Sequence, residues 1–219
     1  MIMHKIINNL NVIQLLLKTK VDNNNLPIII AVSKTFPMSE ITPLLEHGHK
    51  HFGENKIQEC IEKWTNIKGN YAEIKLHMIG KIQTNKVKFL LPLFDYIHSL
   101  DNIKLAKKIS LEQIKQNKKP KIFIQVNIGN ETQKNGIDIN DLQSFYTLCT
   151  EELNLNIIGL MCLPPIEKNS TSYFQQMKKL AESINVKELS MGMSGDYLEA
   201  SKNGASFLRV GSKIFGPRS

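Results

Sequence analysis

An α/β fold is predicted for this chain: a single closed (β/α)8 TIM-type barrel with an extra N-terminal helix. Three observations predict it. A short β-branched apolar run, a polar or glycine-bearing turn and ten to fifteen residues of helical periodicity form a unit that recurs along the sequence. The apolar run occurs eight times, and strands alternating with helices build parallel βαβ units, so eight of them match a closed barrel. No linker rich in Pro, Gly or Ser interrupts the series, which predicts one domain over 1–219. An open, doubly wound sheet is the rival, because periodicity alone does not prove closure.

Taken in order, residues 1–25 are expected to hold the extra helix and its connection, since Ile6, Ile7, Leu10, Ile13 and Leu17 fall at helical spacing. The strand runs are 28–33, 50–53, 76–80, 96–99, 121–128, 156–163, 188–191 and 206–210. Helical stretches between them include 39–47, 56–63, 85–91, 103–116, 141–153 and 172–184. Asp101, Asp138 or Asn140, and Ser170 have side chains suited to accept the free N–H groups of a first helical turn.

Composition bounds the function. The chain has 219 residues, 42% of them hydrophobic and 22% charged, which excludes collagen-like, low-complexity and wholly disordered classes. Its three cysteines, Cys60, Cys149 and Cys162, show no C-x-x-C spacing, so neither a disulfide framework nor a thiolate metal site is expected. A reducing compartment follows. The first twenty residues are interrupted by Asn8, Asn9, Asn11 and Gln14, which argues against a signal peptide, and no eighteen-residue apolar run predicts a membrane span. A cytoplasmic monomer with no membrane partner is expected. The net charge of +8 is spread over scattered lysines without interleaved aromatics, so no nucleic-acid partner is expected either.

In a barrel, chemistry sits at the carboxyl ends of the strands. Lys34 directly follows the first apolar run, where burial would disfavour its ammonium form and let the amine attack a carbonyl. The alternative is a surface lysine that happens to follow a strand. The Ser190 to Asp196 stretch follows the seventh run, and Arg209 to Ser212 closes the eighth. Loops there bind phosphate in many barrels, and Ser194, Gly195, Gly211 and Ser212 offer hydroxyls and close backbone approach. Tight turns with capping serines would look the same. Together a carbonyl-reactive lysine and a phosphate cradle point to a phosphorylated aldehyde.

Other features carry less. His47, His49 and His51 alternate like metal ligands, but no acidic or thiolate partner stands with them. His77 reads as a hydrogen-bonded structural residue, Cys60 and Cys162 as small core side chains, Phe52 and Trp64 as packing, and 115–121 as a solvated helix end. No G-x-x-x-x-G-K-[ST], G-x-S-x-G or H-E-x-x-H occurs, which removes the usual warrant for nucleotide hydrolysis, serine esterase and zinc protease classes.

A set of short motifs appears together and in order: Ala31-Val32-Ser33-Lys34-Thr35, Phe52-Gly53-Glu54-Asn55, His77-Met78-Ile79-Gly80 with Gln83, Asn85 and Lys86, Gly159-Leu160-Met161, the 190–196 stretch, and Arg209-Val210-Gly211 through Phe215-Gly216. Over about residues 25–218 the chain closely resembles the pyridoxal 5'-phosphate (PLP) homeostasis proteins. That family is similar to the barrel domain of alanine racemases and ornithine decarboxylases, binds PLP without an established turnover, and is linked to vitamin B6 balance. The resemblance implies that Lys34 forms a Schiff base with PLP. It implies further that Asn55, Ser194, Gly211 and Ser212 surround the cofactor, the last three near its phosphate, and that Arg209 faces the pyridine nitrogen. A guanidinium there disfavours ring protonation and restrains carbanion chemistry; the competing reading for Arg209 is an ion pair with Glu54 or Asp196.

The implied function is therefore a non-enzymatic one: reversible PLP storage, with hand-over to apo PLP-dependent enzymes. The alternative is an amino-acid racemase or decarboxylase. Those enzymes add a β-rich second domain and dimer contacts, whereas the barrel is expected to consume this chain. Lys81, Leu76 and Asn135 depart from the usual family pattern.

Overall fold

The computed structural model describes residues 4–21, 26–131, 135–165 and 169–217. Helix α1 (Lys5–Lys20) precedes the first strand, as its spacing requires, and buries Ile6, Leu10, Ile13 and Leu17. The strands are β1 (Ile28–Val32), β2 (His51–Glu54), β3 (Lys75–Met78), β4 (Tyr96–Leu100), β5 (Lys121–Val126), β6 (Ile157–Cys162), β7 (Glu188–Met193) and β8 (Phe207–Val210). All pair in parallel and in sequence order, and β1 pairs with β8 from Ile28↔Phe207 to Ala31↔Val210. That last ladder closes the barrel and excludes the open sheet.

The helices are α2 (Met38–Glu46), α3 (Ile57–Lys68), α4 (Val87–Leu90), α5 (Ile103–Gln116), α6 (Leu142–Thr147), α7 (Ser170–Ser183), α8 (Tyr197–Lys202) and α9 (Ser212–Phe215). Two expected caps are displaced by one residue. Asn102, not Asp101, accepts from Leu105 N–H at 2.8 Å, and Asn169, not Ser170, accepts from Thr171 N–H at 3.0 Å. In each case neighbouring side chains are both cap-competent, and the one whose non-helical backbone immediately precedes the first helical residue takes the role. Asp138 caps its turn as expected, accepting from Asn140 N–H. The predicted helix over 141–153 ends in a π-helical turn over Leu148–Glu152, which hydrophobic spacing does not encode.

Burial is divided into two layers. The larger lies between strands and helices and includes Phe52, Cys60, Trp64, Leu76 and Ile97. The smaller fills the barrel and consists of Ile30, Tyr96, Phe123, Met161 and Phe207. The interior also carries polar groups: His77, His98, Ser190 and Arg209 are all buried. Aromatic stacking accommodates the imidazoles, with His77 on Tyr96 and His98 on Phe123, each at 4.3 Å between ring centres. The three cysteines are buried and free, and burial pushes the Cys149 and Cys162 thiols up to about 12. Among the described residues no helix is long and apolar enough to cross a membrane.

Candidate functional site

At the carboxyl-terminal end of the strands a cleft of about 490 Å³ opens, and Lys34, Asn55, Ser194, Arg209, Gly211 and Ser212 all line it. Residues far apart in sequence converge there because βα loops share one face of a barrel. Apolar walls come from Val32, Phe36, Ile79, Leu163 and Met193.

Lys34 stands half-buried in the loop after β1, and that loop is held from below. Ser33 Oγ donates to Glu54 Oε1 at 2.7 Å, and Lys63 Nζ sits 2.7 Å from the same oxygen while donating to the Ser33 carbonyl at 2.9 Å. Trp64 Nε1–H adds a third donor at 3.1 Å. Burial pushes the Glu54 carboxyl up, against the opposing pull of Lys63. Thr35, next to Lys34, adopts φ 69°, and its N–H donates to Glu59 Oε1 at 2.6 Å. A β-branched residue in left-handed conformation is strained, and strain of this kind persists only where its surroundings dictate it.

Asn55 directly follows β2, and its side-chain Oδ1 is buried without a hydrogen-bond partner among the described residues. Gly80 lets the neighbouring loop approach it, since a Cβ there would overlap the Asn55 carbonyl. At the opposite wall, Ser194 Oγ accepts from Gly211 N–H at 3.3 Å and Lys213 N–H at 3.4 Å, joining the β7 loop to the start of α9. Gly192, at φ 87°, turns the chain into that loop against Ala200.

Arg209 is buried within β8. Nη1 donates to Ser190 Oγ at 2.7 Å and Nη2 to the Cys162 carbonyl at 2.8 Å. Neither Glu54 nor Asp196 forms an ion pair with it: Glu54 is taken by Lys63, and Asp196 accepts from Met193 N–H at 2.7 Å. With five N–H donors and two acceptors among the described residues, the guanidinium has donors remaining beside the cleft it lines.

Sequence reasoning missed His98 and the series that it completes beneath Arg209. Ser190 Oγ is 2.8 Å from His98 Nδ1, His98 Nε2 is 2.9 Å from His77 Nδ1, and His77 Nε2 is 3.0 Å from His51 Nδ1. His77 is hydrogen-bonded and structural, as expected. His51, read above among an alternating histidine run, belongs to this interior series, while His49 meets the His51 carbonyl at 2.9 Å. Burial holds His77 and His98 well below the ordinary imidazole range. The available signal was alternation: His77 and His98 occupy inward positions of adjacent strands.

The cleft suits a phosphorylated pyridine aldehyde in its chemistry. It offers an amine at Lys34, an unpartnered acceptor at Asn55, guanidinium donors at Arg209, and the hydroxyls of Ser194 and Ser212 beside Gly211.

Comparison with known proteins identifies relatives of this fold. The alanine racemase N-terminal domain family matches residues 3–219. A pyridoxal phosphate homeostasis protein of Aquifex aeolicus (strain VF5) is 34% identical, spanning 87% of this chain and 86% of its own. Another, of Haemophilus influenzae, is 33% identical over 96% of this chain and 94% of its own. PipY of Synechococcus elongatus PCC7942, with PLP bound, superposes with a TM-score of 0.85 at 30% identity, covering 96% of this chain and 100% of that one. The alanine racemase of Clostridium difficile 630 shares the fold at TM-score 0.73 and 14% identity, this chain covering 56% of it. The chain belongs to the pyridoxal phosphate homeostasis protein family, whose barrel is that of the alanine racemase N-terminal domain.

Proposed function

We propose that this protein binds PLP reversibly in the cleft, with Lys34 as the covalent anchor, and that it serves vitamin B6 homeostasis by holding and releasing the cofactor. The single observation that carries the reading is the convergence of Lys34, Asn55, Ser194, Arg209, Gly211 and Ser212 on one cleft. PLP supplies an aldehyde that condenses with an amine, releasing one water, and hydrolysis returns both partners. Asn55 offers an acceptor to the ring substituents, and Ser194, Gly211 and Ser212 take the phosphate end. Arg209 faces the ring nitrogen with a permanent positive charge, which disfavours protonation there and withholds the electron-sink character that amino-acid chemistry needs.

Storage is thus favoured over turnover. The proposal extends to a cytoplasmic monomer that passes PLP to apo-enzymes without a nucleic-acid or membrane partner, and to one domain over the whole chain. Protein incubated with PLP is expected to turn yellow and to gain one PLP per chain in its mass after borohydride reduction. Lys34→Ala should abolish both, and an unchanged band and mass would remove the anchor assignment. For the racemase or decarboxylase alternative, rapid exchange of the α-hydrogen of alanine or lysine in deuterated water is the deciding result.

A further inference from the structure

The interior histidines are the part of the barrel that PLP binding leaves unused. From the cleft inward, Arg209 on β8 donates to Ser190 on β7, which meets His98 on β4, then His77 on β3, then His51 at the start of β2. The series runs from the carboxyl-terminal end of the barrel to the amino-terminal end, where His51 is half-buried beside Lys75 and Asp95.

Its hydrogen bonds have one self-consistent polarity. A guanidinium only donates, so Ser190 Oγ must accept from Arg209. Ser190 is fully buried, and among the described residues His98 Nδ1 is the acceptor open to its hydroxyl hydrogen. A neutral imidazole carries one N–H, so His98 then holds its hydrogen on Nε2 and donates it to His77 Nδ1. By the same rule His77 donates from Nε2 to His51 Nδ1. Every link is satisfied with all three imidazoles neutral, and among the described residues no charged side chain other than Arg209 faces His98. Tyr96, Phe123 and Phe207 pack around the rings; the phenylalanines offer no acceptor, and the Tyr96 hydroxyl accepts from Lys121 Nζ at 3.4 Å.

We propose that His98, acting through Ser190, is a positioning residue for Arg209, and that His77 and His51 fix the tautomer in which it does so. With its hydrogen committed to His98, the Ser190 hydroxyl can present only a lone pair to the guanidinium. Arg209 is thereby held in the orientation that leaves its remaining donors toward the cleft. The role in cofactor binding rests on the PLP reading above, whereas the polarity of the series does not.

The test has two arms. In protein without PLP, long-range proton–nitrogen correlation of labelled imidazoles should show His98 and His77 neutral with hydrogen on Nε2. Ser190→Ala should yield mixed tautomers at both, and Ser190→Thr, which keeps the hydroxyl, should restore the single form. With PLP added, Ser190→Ala is expected to weaken binding about tenfold, the effect of losing one hydrogen bond to a charged group, and to shift the visible band while Lys34 still captures PLP. Ser190→Thr should stay near wild type on both readouts. Hydrogen on His98 Nδ1, or unchanged affinity and band in Ser190→Ala beside normal wild-type uptake, overturns the positioning role. Absence of PLP uptake by the wild type instead overturns the cofactor reading on which it rests.

Discussion

Thr35 and Arg209 show how much one side chain can be asked to bear in this cleft. The left-handed backbone at Thr35 costs a β-branched residue about 1 kcal/mol or more, and the compensation is the Thr35 N–H bond to Glu59 beside Lys34. Thr35→Gly is therefore expected to raise the denaturation midpoint modestly while weakening PLP binding, because the loop gains freedom. Calorimetry and a PLP titration check the two signs, and a loss of stability would refute the strain argument. Arg209→Leu should alter the absorption profile of bound PLP, reporting a changed ring nitrogen; an unaltered spectrum would mean that the guanidinium serves another end of the cleft. Beneath Lys34, removing the amine of Lys63 would leave Glu54 buried and unpaired, which costs about 3–5 kcal/mol. Lys63→Met should accordingly unfold at markedly lower denaturant, and Glu54→Gln combined with it should recover part of the loss.

Among the helices, α1 and α9 form a pair whose link reaches the cleft. Asn9 on α1 donates from Nδ2 to the Ile214 carbonyl of α9 at 2.8 Å, and α9 begins at Ser212, one of the cleft residues. Asn9→Ala is expected to cost about 1 kcal/mol of stability and to raise the PLP dissociation constant severalfold without moving the visible band, as titration would show. The extra helix was readable because Leu10, Ile13 and Leu17 share one face, and its burial confirms the face. The strands were readable for the same reason, since parallel strands buried on both sides are near-continuous apolar runs. Caps were readable only to within a residue, because Asp101 and Asn102, or Asn169 and Ser170, have equivalent chemistry and backbone geometry decides between them. Asn55 and the orientation of Arg209 were implied only by the family resemblance, whereas Lys34, Ser194, Gly211 and Ser212 could be named because a barrel gathers the ends of its strands. The interior histidine series could not: its members come from β2, β3 and β4, and their meeting depends on barrel stagger rather than on local spacing.

Over the barrel as a whole, the imidazoles make folding sensitive to acid. Burial holds His77 and His98 well below 6.5 and lowers His49 and His51 to about 4. Their folded values lie below the unfolded one, so the unfolded chain binds more protons as pH falls through about 6.5, and stability drops. Each imidazole kept neutral contributes about 1.4 kcal/mol per pH unit to that loss. Urea midpoints should decline steeply from pH 7 to pH 5, and His98→Phe should flatten the decline; a level profile would contradict the buried neutral series. The closing ladder has a different consequence, for kinetics. β1 and β8 meet across nearly the entire sequence, and contacts so remote in the chain form slowly. Lys34 emerges from one of these strands and Arg209 sits in the other. During refolding, helical circular dichroism should therefore recover well before the yellow colour does, the delay marking the moment at which the two ends of the chain find each other.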